Sequence, residues 1–265
     1  MPTITKIAQQ KKKKDRYSIF LDGDYAFSVE EDVLVRHALT KGKELSKKDI
    51  DEITEKDDYQ RAYLMAIQFL SYRMRSADEM HAYLQKKEVN PDWIEQIMIS
   101  LTEDKYLDDQ RFAEMFVRDR IHQTSKGPQV INRELSAKGV NKEDRERALE
   151  QFEEGQQKEH AFHWLQKERR KTSKDSLKQR EDKLRVKMLQ KGYPNAIVTA
   201  VFQENPPIVD AEKEQDIFIK QADKLHQKHQ KKLSGFDLKM KVKTALYQKG
   251  FSSEMIDEYI DNIES

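Results

Sequence analysis

The sequence predicts a mostly α-helical protein of tandem three-helix repeats forming an elongated, curved array, with a small β-hairpin region at its N-terminus. Three observations predict this. Apolar pairs at helical spacing recur four times, at intervals near fifty residues. Each pair is followed by the same kind of helix stop, and only the first sixty residues carry β-prone runs.

At the N-terminus, Arg16–Leu21 and Tyr25–Val29 flank Asp22-Gly23-Asp24. Asp-Gly accepts the positive φ angles of a tight two-residue turn, so these runs read as a hairpin, and Thr3–Ile7 offers a third strand. A short amphipathic helix is expected over Glu30–Leu39, ended by Gly42. Ser46, three residues before Asp49, has the spacing of an N-cap that opens another helix.

From about Tyr59 the pattern turns helical and repeats. The apolar pairs are Met80/Leu84, Ile131/Leu135, Leu184/Met188 and Val242/Leu246. An i, i+4 pair lies on one helix face, where it builds core. Four residues after each pair comes Glu88, Gly139, Gly192 or Gly250, separated by 51, 53 and 58 residues, then an apolar residue. Glycine after a helix permits the left-handed stop, so Glu88 predicts that the first short helix ends differently. Longer helices precede the pairs over 60–74, 110–123, 158–170 and 211–230. The expected organisation is 1–58 for the hairpin and short helices, then repeats over 59–107, 108–155, 156–207 and 208–265. So small a three-helix unit has little core of its own, and stacking against neighbours supplies the rest.

Charged residues make up 37% of the chain, yet 49 basic residues nearly balance 48 acidic ones. The distribution is uneven. The lysine-rich window 155–250 holds 22 basic against 12 acidic residues, and Lys11–Lys14 form a second cluster. Such concentrations suit an anionic partner, although a solvated helix face accounts for them equally. Without cysteine there is no disulfide framework and no zinc–thiolate site. The first residues lack the apolar core of a signal peptide and no stretch is apolar enough to span a bilayer, so a cytoplasmic protein without membrane contact is expected.

Candidate chemistry is sparse. Asp108-Asp109 could bind a metal, but the helix start beside it favours a cap. His160/His163 and His226/His229 are i, i+3 pairs without an evident third ligand, so no metal site is expected. Eight glycines form no phosphate-cradling loop, and no nucleophile elbow or carboxylate pair stands out. No cofactor, no catalytic residue and no enzyme are expected. What remains is a set of cations beside the repeat cores: Arg73, Arg75, Arg118, Arg120, Lys126, Arg133, Lys138, Arg169, Arg170, Lys187 and Lys191. Together they read as a surface for DNA or a nucleoprotein filament. One by one, salt bridges to acids such as Asp119 or Glu134 account for them as well.

The run Arg75-Ser76-x-x-Glu79, Tyr106-Leu107-Asp108-Asp109-x-x-Phe112-Ala113, Arg118-x-Arg120 and Gly127-x-x-x-Ile131-x-x-Glu134-Leu135-x-x-Lys138-Gly139-Val140 resembles the bacterial recombination regulators of the RecX family. The match is specific over residues 60–152. The segments around Phe20 and Tyr25–Val29 resemble the leading region of longer members, and repeats three and four match more weakly. No heptad seam marks an obligate coiled-coil dimer, so a monomer is expected. The resemblance implies a helical array that binds RecA filaments on DNA. It further implies limits on RecA growth, ATP hydrolysis and strand exchange in homologous recombination, DNA repair and the SOS response, with weak affinity for DNA alone. Two other readings stand beside it: a nucleic-acid-binding protein acting without RecA, and a helical-repeat scaffold for another protein.

Overall fold

A computed structural model describes residues 1–262 and contains, among them, thirteen helices and one three-stranded antiparallel sheet. The chain divides into two compact units. The first comprises residues 1–113 with 136–144; the second comprises 114–135 with the chain from Arg145 onward.

The first unit opens with β1 (Ile4–Gln9), β2 (Arg16–Leu21) and β3 (Asp24–Glu30), in the order β1-β2-β3. Leu21 pairs with Asp24 across Asp22 and Gly23, whose φ angles are +51° and +102°. Two positive φ values match the right-handed twist of the flanking strands, which is what the Asp-Gly pair supplies. α1 (Glu31–Arg36) is shorter than the expected 30–39. The chain leaves it through Ala38 at φ +43°, which sends Leu39 into the core under the sheet. Gly42 therefore does not stop the helix; its N–H donates to the Ile4 carbonyl at 2.8 Å, returning the chain to the sheet edge.

α2 (Lys47–Ser71) begins with the Ser46/Asp49 capping box and runs on as one helix of 25 residues, through the 58/59 division drawn from the sequence. Its first half packs Ile50 and Ile53 under the sheet. Its second half contributes Ala62 and Ala66 to a separate core with Met80, Leu84, Ile94 and Ile97. Between the two cores, Asp57 is 2% exposed and takes the Arg16 guanidinium at 2.7 Å and the Glu30 N–H at 2.7 Å. α3 (Ala77–Lys86) and α4 (Pro91–Glu103) complete this group, α4 opening on the Asn90 cap and Pro91.

Three more groups of three helices follow in chain order: α5 (Asp109–Gln123), α6 (Pro128–Ser136) and α7 (Lys142–Leu149); α8 (Glu154–Arg169), α9 (Leu177–Gln190) and α10 (Asn195–Glu204); α11 (Ala211–His229), α12 (Gly235–Gln248) and α13 (Ser253–Asn262). All four apolar pairs are buried. Each such side chain contributes roughly 1.5–3 kcal/mol.

The helix stops repeat in detail. Glu88, Gly139, Gly192 and Gly250 all have positive φ, from +58° to +89°. The Val89, Tyr193 and Phe251 N–H groups reach back to the carbonyls of Leu84, Met188 and Leu246. This is the Schellman pattern, which satisfies carbonyls left over at a helix end. Glu88 thus ends α3 in the left-handed conformation despite its side chain, contrary to the difference expected from sequence.

What distinguishes the glycines is their neighbours. In the first unit a methyl group on Gly139 would lie 2.3 Å from the Asp78 Cβ, in the first turn of α3. In the second unit one on Gly192 would lie 2.5 Å from the Val130 nitrogen, in α6, and one on Gly250 3.0 Å from the Lys178 Cβ, in α9. Each junction sets the stop of one repeat's second helix on the opening turn of the preceding repeat's second helix. Hydrogen bonds reinforce the fit: the Gly127 N–H donates to the Lys191 carbonyl at 2.7 Å, and the Ser176 hydroxyl donates to the Lys249 carbonyl. Glu88 is exposed, with no earlier repeat to receive it, so only its φ is constrained.

Candidate partner-binding surface

The eleven cations singled out in the sequence separate into two kinds. In the first unit, Glu79 lies in the first turn of α3 and accepts from Arg73 at 3.0 and 3.2 Å and from Lys138 at 2.5 Å. Burial would raise the Glu79 pKa, but the hydrogen bonds and charges of these two cations outweigh it and hold it below the ordinary value. Arg75 lies over the Phe69 ring, 4.1 Å from its centroid, and Phe69 stacks on Tyr83 at 3.8 Å. Burial, together with the neighbouring Arg73, lowers the Arg75 pKa.

In the second unit the pattern recurs. Glu134, on α6, accepts from Arg120 at 2.8 Å and from Lys126, and Arg120 also covers the Phe116 ring. Arg169, the last residue of α8, grips Glu181 of α9 and donates to the Asn205 carbonyl at 2.8 Å. Lys191 donates to the Ser125 hydroxyl at 2.8 Å and sits over Trp164; burial lowers its pKa. These seven residues are fastened within the fold, by ion pairs, ring contacts or hydrogen bonds.

The other four, Arg118, Arg133, Arg170 and Lys187, are exposed and make no ion pair or side-chain hydrogen bond among the described residues. Arg118 lies on α5, Arg133 on α6, Arg170 at the end of α8 and Lys187 on α9. Such side chains pay no exchange of protein partners on meeting an anion.

Two concave regions lie in the second unit, and Arg170 lines one of them. A cleft of about 570 Å³ is lined by His122, Ser125, His160, Trp164, Lys167, Lys171 and Lys191, and another of about 530 Å³ by Phe162, Arg169, Arg170, Arg180 and Pro206. Glu168 in the first cleft has its pKa lowered chiefly by the hydrogen bond from Lys171, and further by the positive charges of Lys171, Lys187 and Lys191. His160 lies edge-on against Phe152, its pKa lowered by burial, and His163 faces Glu159 at 3.6 Å. No group of three or more His, Asp or Glu among the described residues is placed to hold a metal ion. His226 and His229 lie in the last turn of α11.

Asp108 and Asp109 have different jobs. Asp108 caps its own helix, accepting from the Arg111 N–H at 2.9 Å. Asp109 reaches the Ala77 N–H at 2.8 Å and so caps α3 of the preceding repeat. Glu214 does the same for Leu177 at the start of α9, at 3.1 Å. Sequence spacing gives no sign of such a cap from a neighbouring repeat. Arg180, which no sequence pattern marks, donates to the Glu168 carbonyl in the last turn of α8 and to the Lys171 carbonyl just beyond it.

Comparison with known proteins supplies the family. Four family models match in order: the regulatory protein RecX N-terminal domain over residues 2–46, and the RecX first, second and third three-helix domains over 62–101, 108–149 and 212–260. The regulatory protein RecX of Oceanobacillus iheyensis is 44% identical over 98% of each chain. That of Bacillus pumilus is 40% identical over 100% of each. This chain belongs to the RecX family of regulatory proteins. Among solved structures, a regulatory protein RecX is 33% identical with a TM-score of 0.67, matching 77% of this chain and all of that one. RecX from Lactobacillus salivarius is 30% identical with a TM-score of 0.54, matching 56% of this chain and 97% of that one. The third RecX three-helix model falls on α11–α13, while α8–α10 lie between the second and third matches. No helix of the described residues is long and apolar enough to cross a membrane.

Proposed function

We propose that this RecX-family chain regulates RecA recombinase by binding its filaments on DNA, chiefly inhibiting ATP hydrolysis and strand exchange. It acts in the cytoplasm as a monomer, by binding rather than by catalysis. The observation that carries the reading is the set of four uncommitted cations, Arg118, Arg133, Arg170 and Lys187, on helices of successive repeats in a regulatory family. The modules are 59–107, 108–155, 156–207 and 208–265, after an N-terminal part over 1–58. Arg73, Arg75, Arg120, Lys126, Lys138, Arg169 and Lys191 shape the surface, and the four free cations meet DNA phosphates or acidic patches of RecA. Contacts that are weak singly act together along a repetitive partner, so avidity replaces a deep pocket.

The test is to titrate the protein into RecA on single-stranded DNA while following ATP hydrolysis and filament length. The wild type slows hydrolysis and shortens filaments. Changing Arg118, Arg133, Arg170 and Lys187 together to Gln leaves the melting temperature unchanged and weakens inhibition. If wild-type protein at saturation alters neither readout, the reading fails.

The basic excess over 155–250 favours a second reading, a nucleic-acid-binding protein independent of RecA. That protein would bind bare oligonucleotides tightly, with a steep salt slope of roughly 0.7 per neutralised phosphate on single strands.

A further inference from the structure

A lysine stands immediately before each of the four helix stops: Lys87, Lys138, Lys191 and Lys249. In the first unit Lys138 is neutralised. Its ammonium meets Glu79, the residue just before Met80 of the buried pair Met80/Leu84, and Arg73 shares that carboxylate. The junction at Gly192 repeats the packing but lacks the acid. The residue just before Ile131 of the pair Ile131/Leu135 is Val130, against which Gly192 is set. Glu134, one turn further along α6, is held by Arg120 and Lys126. Lys191 makes no ion pair among the described residues; it donates to the Ser125 hydroxyl at 2.8 Å and lies 5.5 Å from the centre of the Trp164 ring.

Lys191 lines the cleft of about 570 Å³ in the second unit. Three lysines and three histidines line that cleft against one carboxylate, Glu168. Glu168 is bound by Lys171, which leaves the other two lysines unbalanced. Lys167, exposed on α8, makes no ion pair or side-chain hydrogen bond among the described residues. Positive charge is thus in excess inside a concavity walled partly by Ile121 and Trp164, where water screens it less than on an open surface. The Lys191 pKa records this field. Burial lowers it first; Glu168 opposes, and the charges of Lys126 and Lys171 lower it further. Cations held together against their mutual repulsion are stabilised by an anion placed among them.

We propose that this cleft binds a phosphate group, with Lys167 and Lys191 as its donors and Lys171 adding charge beside them. The ligand takes the place that the Glu79 carboxylate fills at the first junction. The donor type selects its chemistry. An ammonium is a point charge with three donors and no fixed plane, which suits charge spread over the tetrahedral oxygens of a phosphate. A flat carboxylate is matched better by the arginine fork, and no arginine among the described residues lines the cleft. The phosphate comes either from the backbone of a nucleic-acid strand or from a free nucleotide. Neither source depends on RecA, and Lys167 and Lys171 lie outside the set of cations assigned to the filament.

Trp164 supplies a readout, because Lys191 lies over its ring, and Trp93→Phe, in the first unit, removes the chain's other tryptophan. In that background the full chain, without RecA, is titrated at constant ionic strength with a thymidine oligonucleotide lacking terminal phosphates, with thymidine triphosphate and with acetate. Trp164 emission is followed, and calorimetry, which does not depend on Lys191, is run beside it. The variants are Lys167→Gln/Lys191→Gln, Val130→Glu and the control Lys249→Gln, which removes the lysine before the last stop. The proposal expects a phosphate probe to saturate the emission change while acetate does not. Lys167→Gln/Lys191→Gln should bind at least tenfold more weakly at a similar melting temperature, and Lys249→Gln like the parent. Val130→Glu, which restores the carboxylate of the first junction, should also weaken binding by occupying Lys191 from within the fold; it decides alone where the double variant melts early. Tighter binding of the oligonucleotide per phosphate assigns the site to a strand, and tighter binding of the triphosphate assigns it to a nucleotide. No response to either phosphate probe, an equal response to acetate, or full affinity in Val130→Glu or in a folded double variant overturns the proposal. RecA is absent from every arm, so none of these outcomes touches the function proposed above.

Discussion

At the residue scale, one position in the repeat alignment separates two constraints that glycine usually satisfies together. Gly139 needs both a positive φ and the absence of a side chain, because Asp78 fills the space beside it. Glu88 needs only the positive φ. Left-handed backbone costs an L-residue roughly 1–2 kcal/mol, and crowding a packed site costs about 1–3 kcal/mol more. Gly139→Ala should therefore lose at least ~2 kcal/mol in urea denaturation. Glu88→Gly should change stability by less than ~1 kcal/mol, its strain relief offset by the greater freedom of glycine in the unfolded chain. Equal shifts for the two variants would mean that the Asp78 contact contributes nothing. The alignment that marked Glu88 as the exception was legible in the sequence. The reason was not, since it lies in which stop has a neighbour.

At the scale of elements, helix starts were the most readable features, because capping is local. Ser46, whose spacing to Asp49 predicts a cap, opens α2 with a full capping box. Continuity was less readable: polar residues 55–58 resemble a break, yet α2 runs through them because Asp57 is occupied by Arg16 and the Glu30 N–H. The cation surface was half legible for the same reason. Glu134 could be named as a partner from its proximity in sequence, whereas Glu79 and Lys138 lie 59 residues apart. The Glu79 and Glu134 clasps predict a pH dependence. Both carboxylates have folded pKa values held below the ordinary 4.5, so their stabilisation is complete above that value. It is lost as pH falls through the folded pKa, when the native state must take up a proton. Urea midpoints should thus drop below pH 4.5, and Glu79→Gln, less stable at pH 7, should converge on wild type as the pH is lowered. A constant gap between the two down to pH 3 would exclude this role for Glu79.

At the scale of the whole molecule, the repeat was legible because each unit solves the same packing problem with the same i, i+4 pair and stop. How the units share stability was not. Apolar residues gather in separate clusters: one under the sheet, one from Ala62 to Leu107, and one from Phe218 to Ile256. A chain whose core is divided in this way opens in parts, each with its own free energy. Leu246 is fully buried in the last cluster, and Leu246→Ala should cost about 2–5 kcal/mol there. Native-state hydrogen exchange locates the loss. Amides of α11, α12 and α13 should exchange faster by the factor that this energy implies, about tenfold for each 1.4 kcal/mol, while those of β1, β2 and β3 keep their wild-type rates. Equal acceleration in the sheet and in α12 would show that the cores melt together. In that case stability would be a property of the chain as one cooperative body rather than of its repeats.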